Sequence, residues 1–76
     1  MSDIAKQLTA LGWTSKPFDS GTLFLSSNEE LMITLYPNGK FRSAEFKEWG
    51  TSAYYGENST AEFDLDGFLR KYGEKS

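Results

Sequence analysis

Asn38-Gly39 stands between two runs of alternating side chains, LMITLY at residues 31–36 and FRSAEF at residues 41–46. Both residues tolerate positive φ, so this dipeptide between strand-like runs is the strongest short-range signal for a β-hairpin closed by a two-residue type I′ turn. Such a turn sets a register. Tyr36 then faces Phe41, Leu35 faces Arg42, Ile33 faces Ala44 and Leu31 faces Phe46. Side chains alternate across a sheet. One face is therefore expected to carry Leu31, Ile33, Leu35, Ala44 and Phe46. The other is expected to carry Met32, Thr34, Tyr36, Phe41, Ser43 and Glu45.

A third run, TLFLS at residues 22–26, precedes these two. If Leu23 and Leu25 share the aliphatic face, Leu25 must pair with Leu31 through an odd loop such as Ser27–Glu29. An even loop would set Leu25 against Met32, because a one-residue slip exchanges the faces. The odd loop is the expectation, and it places Phe24 beside Met32. Upstream, WTSKPF at residues 13–18 reads as an extended approach, since Lys16 precedes Pro17 and is biased away from helix. Asp19-Ser20-Gly21 reads as a turn.

The N-terminal segment predicts a helix over Asp3–Leu11. Ile4, Leu8 and Leu11 fall at i, i+4 and i+7, with Ala5 alongside. Ser2 or Asp3 suits its cap, and Gly12 suits the position just beyond its end. A second helix is expected over Leu65–Tyr72, with Asp64 as N-cap, Asp66 in the first turn and Arg70 and Lys71 in the last. Gly73 would end it. The segment STAEF (59–63) carries a capping-box spacing, Ser59 to Glu62, but Ala61, Phe63 and Leu65 alternate. A short strand is the preferred reading. With Gly56-Glu57-Asn58 as a turn, Ala53 faces Ala61, Tyr55 shares a side with Phe63, and Tyr54 points outward.

The expected fold is a single α+β domain over residues 1–76: an N-terminal helix, an antiparallel meander of about four or five strands, and a short C-terminal helix. Each helix has one apolar stripe, so both should pack on the aliphatic sheet face. A chain this short buries only about 60% of its unfolded surface. No disulfide compensates, for there is no cysteine.

The residue inventory bears on chemistry. The chain has no histidine and no cysteine, hence no imidazole base and no thiolate nucleophile. The expectation is that it is not an enzyme. Asp64 and Asp66 are what a helix start favours. Asp64-Leu65-Asp66-Gly67 lacks the later glutamate of a calcium loop, so neither metal nor cofactor is expected. Asn58-Ser59-Thr60 matches a glycosylation sequon. The beginning of the sequence has no signal-peptide apolar core, and apolar runs are far too short to span a bilayer. With the missing cysteine, this points to the cytoplasm. The formal charge of −3 weighs against non-specific nucleic-acid binding.

What is left is surface. Aromatic residues make up 16% of the chain, and large rings serve both cores and interfaces. The second sheet face offers Met32, Tyr36 and Phe41. Continued alternation adds Lys47 and Trp49, and Tyr54 joins them. These six residues form the expected partner-binding surface. The leading reading is a protein-binding module acting as adaptor, subunit or inhibitor, by occluding a partner surface. The chain is similar, in size and acidic α+β character alone, to the inhibitors that phages and mobile elements direct at host defence enzymes, anti-CRISPR proteins among them. No motif carries a closer resemblance. Self-association through the same face is a second form of the reading. The runner-up is a single-stranded nucleic-acid binder, with rings stacking on bases beside Lys40, Arg42 and Lys47. Against it, Arg42 is expected on the aliphatic face, and Glu45 interrupts the stripe.

Overall fold

The computed structural model describes residues 4–47 and 50–72. In chain order these form α1 (Ile4–Ala10), β1 (Thr14–Phe18), β2 (Gly21–Leu25), β3 (Leu31–Leu35), β4 (Phe41–Phe46), β5 (Gly50–Tyr54) and α2 (Leu65–Tyr72). The five strands make one antiparallel sheet in the order β1-β2-β3-β4-β5. The α+β meander expected from the sequence is therefore the fold.

Both helices end as their sequences direct. Past α1, the Trp13 N–H donates to the Leu8 carbonyl at 3.1 Å and the Gly12 N–H to Thr9 at 3.0 Å, the paired bonds of a Schellman motif. At α2, the Asp64 carboxylate accepts from the Gly67 N–H at 3.0 Å, a side-chain N-cap. Asp66 lies in its first turn, and Arg70 and Lys71 in its last. The other suggested caps, Ser2, Asp3 and Gly73, lie outside the described residues.

One core joins the layers. Ile4 and Leu8 of α1 and Leu65 and Phe68 of α2 pack with Phe24, Leu31, Ile33, Leu35, Phe41 and Ala44 of the sheet. Both helices thus cover the same sheet face. Phe46 extends this packing, with its ring 4.8 Å from that of Tyr72 and edge-on to it.

The registers of three turns correct the sequence reading. Between β3 and β4, Leu31 pairs with Phe46, Ile33 with Ala44 and Thr34 with Ser43, and then the register slips so that Leu35 pairs with Phe41. Asn38-Gly39 is not a type I′ turn. The Gly39 N–H donates to the Tyr36 carbonyl at 2.8 Å and the Tyr36 N–H to the Lys40 carbonyl, while only Gly39 has positive φ, at 89°. Pro37 presets the first position of a type I turn, and Gly39 takes the left-handed position that follows. The loop is one residue longer than expected, and a bulge at Arg42 absorbs the difference. As a result Phe41 turns into the core. Its ring lies 3.8 Å from that of Phe63 and nearly parallel to it.

Between β2 and β3 the even loop occurs. Leu25 pairs with Met32, Phe24 with Ile33 and Leu23 with Thr34. Phe24 is a core residue, and Leu23 and Leu25 stand on the opposite face. Ser26 explains the choice. Its hydroxyl accepts from the backbone N–H groups of Glu30 and Leu31 and donates to the Asn28 side chain at 2.7 Å, holding the longer loop closed.

The two-residue turn with positive φ at both positions occurs instead at Asp19 and Ser20, with φ of 49° and 70°. It joins Phe18 to Gly21 and makes residues 14–18 a true strand. Gly21 admits no Cβ, which would collide with the Leu35 carbonyl.

Residues 59–63 are not a strand. Ala61 is exposed and does not face Ala53, though Tyr55 does stand with Phe63 around Phe41.

Candidate functional site

With both helices on one face, no element among the described residues covers the opposite face of the sheet. Register places the side chains on it in rows. One row runs Lys16, Leu23, Thr34, Ser43 and Tyr54, and the next Thr14, Leu25, Met32, Glu45 and Thr51. At one end of the face stand Phe18, Tyr36 and Lys40. Tyr36 follows the core residue Leu35 and pairs with Lys40, so both point to the open side.

The middle of the face is satisfied internally. Thr34 and Ser43 are buried, and their hydroxyl oxygens lie 2.6 Å apart. The Ser43 hydroxyl donates to the Glu45 carboxylate at 3.0 Å, so Thr34 is the donor to Ser43. This hydrogen-bond chain ties the two rows together, and the burial of Ser43 shields its hydroxyl. Leu23, Leu25 and Met32 are half-buried around it. Phe18 is 43% and Tyr54 60% exposed.

Two polar contacts fix the rim. The Arg42 guanidinium lies over the Phe18 ring, 5.5 Å from its centre, and 3.6 Å from the Asp19 carboxylate. Across the sheet, the Tyr36 hydroxyl donates to the Tyr55 carbonyl at 2.8 Å and lies 3.3 Å from the Tyr54 hydroxyl. The Tyr36 hydroxyl is the donor toward both oxygens, with the Tyr55 carbonyl the nearer acceptor. The hydrogen bond with Tyr54 raises the Tyr36 pKa above its ordinary value, and partial burial adds to the shift.

The face collects four of the six residues expected there. Tyr54, Tyr36 and Met32 lie on it. Lys47 is exposed just past β4, and its N–H donates to the Glu30 carbonyl at 2.9 Å. Phe41 does not belong: it is 5% exposed, inside the core. Trp49 lies outside the described residues. Sequence reasoning missed Phe18, Leu23, Leu25 and Arg42. Pro37 before Asn38-Gly39 was the available signal for Arg42, because it favours the longer turn whose bulge re-aims that side chain.

The sheet edges are less inviting. β1 carries Lys16 and Pro17, and β5 is interrupted by a bulge at Ser52; both devices discourage strand addition. Among the described residues, shallow depressions on the helix side include the following two. One, of about 530 Å³, lies between Leu11, Trp13, Leu31 and Leu69. The other, of about 390 Å³, lies between Ile4, Tyr55 and Glu62. No helix among the described residues is long and apolar enough to cross a membrane. No protein-family model matches the chain, and no curated protein or solved structure is recognisably similar to it.

Proposed function

We propose that this protein is a non-enzymatic binding module that engages another protein through the open face of its sheet, as an adaptor, subunit or inhibitor acting by occlusion. One observation carries the reading. An apolar centre of Leu23, Leu25 and Met32 is ringed by Phe18, Tyr36, Tyr54 and basic side chains, and no element of the described chain covers it. Apolar centres with polar rims are the ordinary anatomy of interfaces, and uncovered apolar patches mark binding sites.

Strand spacing and rise give the face a projected area of roughly 400 Å². That is the scale of small, transient interfaces.

Affinity capture from the native cell, comparing wild type with the Phe18→Ala/Tyr54→Ala double variant, tests the reading. The double variant should stay folded and lose a partner that wild type retains. Undiminished capture by the folded variant would refute it.

A further inference from the structure

We propose that Asn38 is a self-modification site, the residue at which this chain deamidates spontaneously. The Asn38-Gly39 pair in the β3–β4 turn carries both reactants side by side. The backbone nitrogen of Gly39 attacks Cγ, the side-chain carbonyl carbon of Asn38. A bond forms between that nitrogen and Cγ, and the Cγ–Nδ2 bond breaks. The proton of the Gly39 amide goes to the departing nitrogen, which leaves as ammonia. Water then opens the five-membered imide at either of its carbonyls, giving aspartate or isoaspartate. The chain and water supply every atom of the reaction.

Three features of the turn favour this residue. Residues 37–40 are all exposed, so water and hydroxide reach both groups. Gly39 has no side chain to screen its nitrogen, and the space where a Cβ would stand is open. The Lys40 N–H donates to Oδ1 of Asn38 at 2.9 Å, which folds the side chain back over the turn and draws electron density from Cγ. One bond acts as a brake. The Gly39 N–H donates to the Tyr36 carbonyl at 2.8 Å, so the tip of the hairpin must open before attack. Exposed loop tips open at a small fraction of the free energy of global unfolding. The other asparagines, Asn28 and Asn58, are followed by Glu29 and Ser59, whose side chains crowd the attacking nitrogen. Asn28 is also held by the Ser26 hydroxyl and the Glu30 N–H.

The products change the hairpin differently. Aspartate keeps an oxygen for the Lys40 N–H and adds one negative charge to a net −3. Isoaspartate routes the main chain through the side-chain carbons. It lengthens by a methylene the turn that sets the places of Phe41 and Arg42, and it loosens the pairing of the Tyr36 N–H with the Lys40 carbonyl.

The test is an ageing experiment on the full chain. The folded protein is held in mildly alkaline buffer, sampled over weeks, digested and read by mass spectrometry, with isoaspartate detected by isoaspartyl methyltransferase labelling. Residue 38 should show the amide-to-acid mass change about tenfold or more faster than residues 28 and 58, because only its neighbour is glycine. Ammonia release and the isoaspartyl label should follow the same course. The rate should rise with hydroxide concentration, and rise again when urea frees the Gly39 N–H. Asn38→Gln, which would have to close a larger ring, should silence that peptide alone. In the isolated isoaspartyl form, amide exchange at Tyr36 should quicken relative to the unmodified protein. Conversion of Asn28 or Asn58 that matches or precedes that of Asn38 would overturn the proposal. So would an Asn38 that persists in the folded chain while the urea-unfolded chain loses it. Unchanged exchange at Tyr36 would overturn the loosening of the hairpin.

Discussion

The guanidinium of Arg42, on β4, lies over the ring of Phe18, on β1, although two strands separate them. Tyr36 and Gly21 occupy the intervening positions, and Gly21 offers no side chain to block the span. The bulge at Arg42 aims its side chain to this side of the sheet. Cation–π contacts at partly exposed sites contribute about 0.5–1 kcal/mol, and an ion pair as exposed as that to Asp19 adds little. Arg42→Ala should therefore lower stability by about 1 kcal/mol or less. Adding Phe18→Ala should cost less than that substitution does alone, because the two share one interaction. Urea denaturation of the four-protein cycle reads this coupling.

Phe41 and Tyr54 should respond in opposite ways. Phe41 is buried between Phe63 and Tyr55, and Phe41→Ala should destabilise by about 3–5 kcal/mol. That is enough to unfold much of a domain this small. Tyr54→Ala removes a mostly exposed ring and should cost about 1 kcal/mol. Comparable losses for both would contradict the placement of Phe41 inside and Tyr54 outside. Thermal melts followed by circular dichroism suffice.

Much of this fold was legible because periodicity and caps are local. The apolar spacing of Ile4 and Leu8, Gly12 after α1 and the Asp64 cap each act within a few residues, and α2 falls on the expected span. The pairing of Ile33 with Ala44 was legible too, since the slip lies beyond Thr34. Face assignment was legible only in part, because it depends on counting residues through turns: Leu31, Ile33, Leu35, Ala44 and Phe46 lie on the core side as expected, whereas the β2 residues, Phe41 and Arg42 do not follow the expected parity. Pro37 lengthened one loop by a residue and the Ser26 hydroxyl selected an even length for another. These changes exchanged Phe24 with Leu23 and Leu25, and moved Phe41 and Arg42 to opposite sides. The contrast between Tyr54 and Tyr55 held because adjacent strand residues must diverge. Of the candidate face, Met32, Tyr36, Tyr54 and Lys47 were legible, while Leu23, Leu25 and Arg42 were hidden by these parities.

The β2–β3 loop gives a direct check on the first of these exchanges. Ser26 is buried, and its oxygen accepts from the buried Leu31 N–H at 3.1 Å. Ser26→Ala leaves that donor unsatisfied, at a cost of about 1–3 kcal/mol. Ser26→Thr should recover part of the loss. Amide exchange at Glu30 and Leu31 should accelerate more than at Ile33.

Alkaline pH should expose the tyrosine pair. Tyr36 titrates above its ordinary value of 10.0 because its hydroxyl donates to that of Tyr54, a bond lost on ionisation, and burial favours the neutral phenol. A raised pKa in the folded state stabilises the fold fully below the unfolded value, and the contribution disappears as pH climbs through the folded value. Tyrosinate absorbance should show Tyr36 ionising late. Tyr54→Phe should move it toward the ordinary value, and Tyr36→Phe should remove it along with its share of the alkaline loss of stability.

Oxidative footprinting of the protein bound to its captured partner tests the interface most directly, because Met32, Phe18, Tyr36 and Tyr54 are all reactive side chains on the open face. Trp13 and Leu11, which line the depression on the helix side, provide the control. The account predicts that partner binding protects Met32, Phe18 and Tyr54 and leaves Trp13 and Leu11 as reactive as in the free protein. Protection of Trp13 and Leu11 with the open face unchanged would contradict it.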